Sequence, residues 1–121
     1  MKPKNIKQLQ AQSRDLEVIP ITRTTYRVKS LSDPNTEYIV RVRFETGRDV
    51  VVNCTCPWAK HHGVACTHVM ATLEFLASLK KRTLSFWLTS QEAERQKHRV
   101  FRLKSESHSG EEVWITSRPN Q

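Results

Sequence analysis

Residues 54–68 read Cys54-Thr55-Cys56-Pro57-Trp58-Ala59-Lys60-His61-His62-Gly63-Val64-Ala65-Cys66-Thr67-His68, and they hold every cysteine of the 121-residue chain. Two close-set pairs, Cys-x-Cys and Cys-x-His, stand either side of nine residues. Three thiolates and one imidazole are the donor set of a tetrahedral structural zinc, with Zn–S near ~2.3 Å and Zn–N near ~2.0 Å. Soft sulfur selects zinc or an iron–sulfur cluster over hard cations, and four protein ligands leave no vacancy for chemistry. An odd cysteine count argues against a disulfide framework. Bringing Cys54 and Cys56 onto one ion calls for a tight turn, which Pro57 fits. The expected site is one structural Zn2+ per chain on Cys54, Cys56, Cys66 and His68. His61 or His62 in the intervening loop could replace His68 or contact phosphate, and Trp58 is expected to shield the thiolates.

Working outward from the ligands, Val50-Val51-Val52 runs straight into Cys54. Before it, Tyr38, Val40, Val42 and Phe44 alternate with Ile39, Arg41 and Arg43, the period of a strand with one buried face. Turn signals at Asp33-Pro34-Asn35-Thr36 and Thr46-Gly47-Arg48-Asp49 separate this strand from its neighbours. An earlier extended stretch around Val18, Ile19, Ile21 and residues 26–29 completes an antiparallel β-meander. A three-residue loop would pair Val28 with Val42 and Tyr26 with Phe44. The same register places Lys29 opposite Arg41 and Arg27 opposite Arg43, a basic face relieved by acids such as Glu37 and Glu45 or built to meet an anion.

After His68, residues Val69, Met70, Leu73, Leu76, Ala77 and Leu79 follow the spacing of an amphipathic helix over 67–81, with Lys80, Lys81 and Arg82 complementing its carbonyl end. Thr89-Ser90-Gln91-Glu92 is a capping box opening a short helix near 90–96. Residues 99–104 and 113–116 then form a hairpin. The predicted class is α+β: a meander feeding a zinc site that opens a packing helix, plus a C-terminal short helix and hairpin. Residues 1–14 read as a flexible basic arm or a marginal helix, 15–82 as the meander, zinc site and helix, and 83–121 as an extension packed on the same domain.

The Cys-x-Cys, loop, Cys-x-His arrangement, entered by a strand and followed by a helix, resembles the SWIM-type zinc finger over about residues 38–78. That resemblance implies a zinc-stabilised binding module for DNA or for proteins, in recombination, transposition or chromatin settings. It implies a shared scaffold more than a shared activity.

Charge narrows the partner. Twenty Lys and Arg against twelve Asp and Glu give +8, a balance that favours polyanions, nucleic acid first. Residues 80–104 concentrate it, with eight basic and two acidic side chains. The candidate contacts are Arg27, Lys29, Arg41 and Arg43 on the meander and Arg95, Lys97, Arg99, Arg102 and Lys104 near the hairpin. The alternative is a protein-interaction adaptor for a larger partner. No His-Glu-x-x-His, nucleophile elbow or phosphate-binding glycine loop is present, so an enzyme is not expected. Only 37% of residues are hydrophobic, so the core is modest and a metal staple helps it. No apolar stretch of about 18 residues predicts a membrane span. Reduced, metal-bound cysteines fit the cytoplasm or nucleus rather than a secreted protein.

Overall fold

The computed structural model describes residues 6–29, 35–56, 66–106 and 112–120. Its strands are β1 (Val18–Pro20), β2 (Thr25–Lys29), β3 (Glu37–Glu45), β4 (Asp49–Cys54), β5 (Arg82–Trp87), β6 (Arg99–Ser105) and β7 (Glu112–Pro119). The helices are α1 (Ile6–Ser13), α2 (Thr67–Leu79) and α3 (Ser90–Glu94). All the strands join one mixed sheet in the order β1-β2-β3-β4-β6-β7-β5. The class is therefore α+β, with the meander, the packing helix and the C-terminal hairpin in place.

One parallel contact, β4 beside β6, fuses the meander to the hairpin. Val50 stands opposite Leu103 there, on the buried face. On the other face Asp49 stands opposite Arg102, whose Nε and Nη2 donate to the two carboxylate oxygens at 3.1 and 2.9 Å. This two-pronged bond from Arg102 is the main reason the Asp49 carboxyl lies below the usual carboxylate range.

Alternation along the strands builds the core. Val28, Val40, Val52, Leu103, Val113 and Phe86 are all nearly inaccessible and share the face that α2 covers. From α2 come Val69, Met70 and Leu73, with Tyr26 meeting Phe75 edge to face at 6.5 Å. The outer turns of the predicted stripe are not core: Leu79 is 67% exposed, and Phe44, expected among the inward residues of β3, is 62% exposed. Both lie towards the end of the buried face away from Cys54, where the cover thins.

The meander register differs from the sequence expectation. Tyr26 pairs with Val40, Val28 with Tyr38 and Lys29 with Glu37, because the connection spans residues 30–36 rather than three residues. The slip of four is even, so each strand keeps its apolar residues on the buried face. The expected stack of like charges, Lys29 on Arg41 and Arg27 on Arg43, is thereby removed. Lys29 instead meets an acid across the strands, which avoids the repulsion of up to ~1 kcal/mol that like charges directly opposite would add.

One strand escaped the sequence reading, and a helix left open there is firmly docked. β5 begins at Arg82, which was expected to close α2; the helix instead stops at a C-cap on Lys80, and Lys81 turns the chain at φ 58°. Residues 6–13, read as part of a flexible basic arm or a marginal helix, form α1 packed on α2 and β5. Gln10, 4% exposed, explains the docking. Its Nε2 donates to the Leu84 carbonyl at 2.7 Å and its Oε1 accepts from the Phe86 amide at 3.4 Å. A side-chain amide thus pairs with the outer edge of β5 as a further strand would, closing an edge that would otherwise lack partners. The same Nε2 reaches Glu74 of α2 at 2.8 Å, and the Ser13 hydroxyl donates to Glu74 at 3.4 Å.

Gln10→Leu keeps the side chain's bulk but leaves the Leu84 carbonyl and Phe86 amide unpaired, at about 1–3 kcal/mol for each buried group. Thermal unfolding should fall by several degrees with zinc content unchanged, and the Phe86 amide should lose its hydrogen-exchange protection. Wild-type stability in this variant would mean that α1 does not hold the edge.

Candidate metal centre

The four predicted ligands come from two elements that meet at one end of the sheet. Cys54 is the last residue of β4, Cys56 follows it, and Cys66 and His68 open α2. Their ligand atoms lie within 4.8 Å of one another. Cys54, Cys56 and Cys66 are buried, at 4%, 2% and 3% exposed.

Thr55, between the first two ligands, makes the turn. Its amide donates to the Ile39 carbonyl at 3.1 Å, as the next rung of the β3–β4 ladder would. Its hydroxyl then accepts from the Ile39 amide at 3.0 Å, standing in for its own carbonyl. The ladder ends satisfied while the chain bends away, which frees Cys56 to turn towards Cys54. A hydroxyl side chain at the x position was the signal for this role, and sequence reasoning passed over it.

Cys66 does two jobs. It is the N-cap of α2, with extended backbone at φ −80° and ψ 162°, and its Sγ accepts from the Val69 amide at 3.4 Å. A thiolate at this position sits at the positive end of the helix dipole, which favours the ionised, metal-binding form. His68 follows one residue into the helix, its ring 4.7 Å from that of Tyr38 on β3 and tilted by 57°. Tyr38 thereby packs on the imidazole, a contact the sequence did not reveal.

The chemistry of this donor set asks for a cation. A thiol hydrogen bond to Cys56 is the largest cause pushing the Cys54 thiol up, to about 12. Burial first, and the neighbouring thiols after it, hold Cys66 well above the ordinary thiol range. Without a metal, Cys54 and Cys66 hold their protons; a dication reverses that logic and favours thiolates. His68 Nδ1 is buried with no hydrogen-bond partner among the described residues. Three sulfurs and an orphaned imidazole, with no fifth donor in the cluster among the described residues, fit one structural zinc ion. Trp58, His61 and His62 lie outside the described residues, as does Pro57.

The cations named as candidate contacts are divided by the fold. Arg27 pairs with Glu37 at 3.4 Å, Lys29 with Glu17 at 3.4 Å and Arg43 with Glu45 at 3.0 Å. Arg102 and Lys104 both reach Asp49, at 2.9 and 3.7 Å. Arg41, Arg95, Lys97 and Arg99 have no ion pair among the described residues. The meander face is thus interleaved with acids.

Residues 38–77 match the family model of the SWIM zinc finger. The match takes in most of β3, β4, all four ligands and most of α2, about a third of the chain. No curated protein and no solved structure gives a significant match. The chain carries a SWIM zinc finger built into a larger sheet.

Zinc binding and folding should be coupled, since the metal joins β4 to α2 across a small core. Chelation should lower the melting temperature sharply, and His68→Ala should do the same, while His61→Ala and His62→Ala leave metal affinity near wild type. Protein purified without chelator that holds no metal would sink the assignment; a larger loss from either loop histidine would reassign the fourth ligand.

Proposed function

We propose that this zinc-stabilised module binds nucleic acid, DNA first, through the end of the sheet remote from the metal. One observation carries the reading. Among the described residues the non-glycine positions with positive φ are Arg48, Lys81 and Lys97, at 65°, 58° and 57°, and all three are cations. Left-handed backbone costs an L-residue roughly 1–2 kcal/mol, and glycine would take it freely. Strain of this kind persists where the surrounding structure over-determines the residue, and such residues cluster at functional sites.

Topology collects the three. β4, β6 and β5 run in the same direction, and Arg48, Lys97 and Lys81 stand in the turns that lead into them. From β4 to β5 is three strand spacings, roughly 14 Å at ~4.8 Å each. None of the three forms an ion pair among the described residues. Lys80, Arg95 and Arg99 lie close by in sequence, so the excess charge of residues 80–104 gathers at this end. Phosphate contacts from such a surface give affinity and salt dependence with little sequence preference.

Of the four meander cations, Arg27, Lys29 and Arg43 are bound to acids, so that face supports the reading less than the sequence suggested. Arg102 and Lys104 are tied to Asp49 across the β4–β6 junction, so reversing their charge would disturb the fold as well as any binding. The filled Cys3His sphere favours a binding module over an enzyme, and a reduced thiolate site favours cytoplasm or nucleus. Docking onto a larger protein is the second reading, favoured by the apolar groove beside α2.

The triple change Arg48→Gly, Lys81→Gly and Lys97→Gly separates binding from stability. Glycine relieves the strained φ at each position, so the melting temperature should hold or rise. Each lost phosphate contact lowers the slope of log affinity against log salt by about 0.9 on duplex DNA, about 2.7 for three. Fluorescence anisotropy on short DNA and RNA duplexes and single strands reads this. Wild-type slope and affinity in the triple variant would remove nucleic acid from this surface.

A further inference from the structure

The buried face of the sheet is not covered to its end. Beyond the last turns of α2 lies a groove of about 210 Å³ whose floor includes Val50, Leu73, Leu76 and Ile115. Phe44 and Leu79, 62% and 67% exposed, stand among its lining residues. Of the large hydrophobic side chains exposed among the described residues, only Ile21 lies elsewhere. Lys80, Arg82 and Arg99 also line it, and no carboxylate does. Arg82 donates from Nε to the Ser117 hydroxyl at 2.6 Å and from Nη2 to its carbonyl at 3.0 Å, which fixes its guanidinium beside the groove.

We propose that this groove docks an acidic segment of a partner protein that presents apolar side chains on one face. Charge complementarity selects the occupant. Cations set beside an apolar floor that includes Phe101 match an amphipathic segment whose carboxylates flank its Leu or Phe anchors. The volume is below the ~300–1,000 Å³ of a pocket that encloses a small-molecule ligand, so it takes a few side chains of a longer chain. A second copy of this chain would bring its own +8 against the same cations. Lys80 and Arg99 lie near both surfaces, but the apolar floor is separate from the turn cations Arg48, Lys81 and Lys97, so variants of each tell the two kinds of binding apart.

The test uses the full, zinc-loaded chain and a labelled helical peptide with Leu and Phe at i, i+4 and i+7 and Glu between them. A peptide with the same apolar residues and Lys in place of Glu is the control. Anisotropy should show salt-sensitive binding of the Glu peptide and none of the Lys peptide. Amide shifts in a 15N spectrum should centre on Leu73, Leu76 and Leu79. Phe44→Ala with Leu79→Ala removes two largely exposed anchors and should weaken binding about tenfold, the effect of losing central apolar contacts, with an unchanged melting temperature. Arg99→Gln, a second variant outside the apolar floor, should weaken binding and reduce its salt dependence. The Arg48→Gly, Lys81→Gly, Lys97→Gly variant should bind the peptide as wild type does. The proposal is overturned if the Glu peptide does not bind, if the Lys peptide binds equally, or if both groove variants retain full affinity. A concentration-dependent dimer abolished by Phe44→Ala with Leu79→Ala would make the occupant a second copy. A single-stranded oligonucleotide that shifts the same amides and displaces the peptide would make it nucleic acid.

Discussion

Three cysteine sulfurs packed into one buried corner can be ionised together only if a cation sits among them. That constraint organises the molecule. It fixes the end of β4 against the start of α2, and these two elements bring the buried faces of sheet and helix into register. Burial and neighbouring thiols raise the proton affinity of Cys54 and Cys66, while the helix dipole at Cys66 works the other way. Zinc resolves the conflict. The supporting parts are small: the Thr55 hydroxyl that ends the β3–β4 ladder, the Cys66 sulfur that caps α2, and the Tyr38 ring against His68. Each satisfies a backbone group or holds a ligand side chain in place, as the surroundings of a metal site usually do.

The molecule has two unlike ends. At the zinc end the sheet is closed by the metal and covered by the first turns of α2. At the other end three strands enter through turns that each carry a left-handed cation, and the buried face opens into an apolar groove. On the open face cations and acids alternate: Arg27 with Glu37, Arg43 with Glu45, Arg102 and Lys104 with Asp49. Net charge alone located none of this. The same +8 would suit a uniformly basic sheet, whereas among the described residues these cations stand against acids.

What was legible in the sequence follows from what is local. Donor chemistry and spacing sufficed for Cys54, Cys56, Cys66 and His68, since each pair spans three residues of chain. Alternation placed β3, helical spacing placed α2, and the Thr89 capping box gave α3, where the Thr89 hydroxyl accepts from the Glu92 amide at 3.2 Å. What was hidden depends on distant partners. β5 left no local signal because its neighbour, β7, lies about thirty residues further on. Gln10 is an ordinary polar residue until an unpaired strand edge stands beside it. The β2–β3 register turned on a loop length that composition does not fix, and the parallel contact of β4 with β6 leaves no local trace.

The central claim is a closed Cys3His zinc that joins sheet to helix. X-ray absorption at the zinc edge, on protein purified without chelator, tests it most directly. The account predicts three sulfur scatterers near ~2.3 Å, one imidazole nitrogen near ~2.0 Å and no oxygen. A water oxygen in the shell with fewer than four protein ligands would contradict it, and would reopen the metal to chemistry.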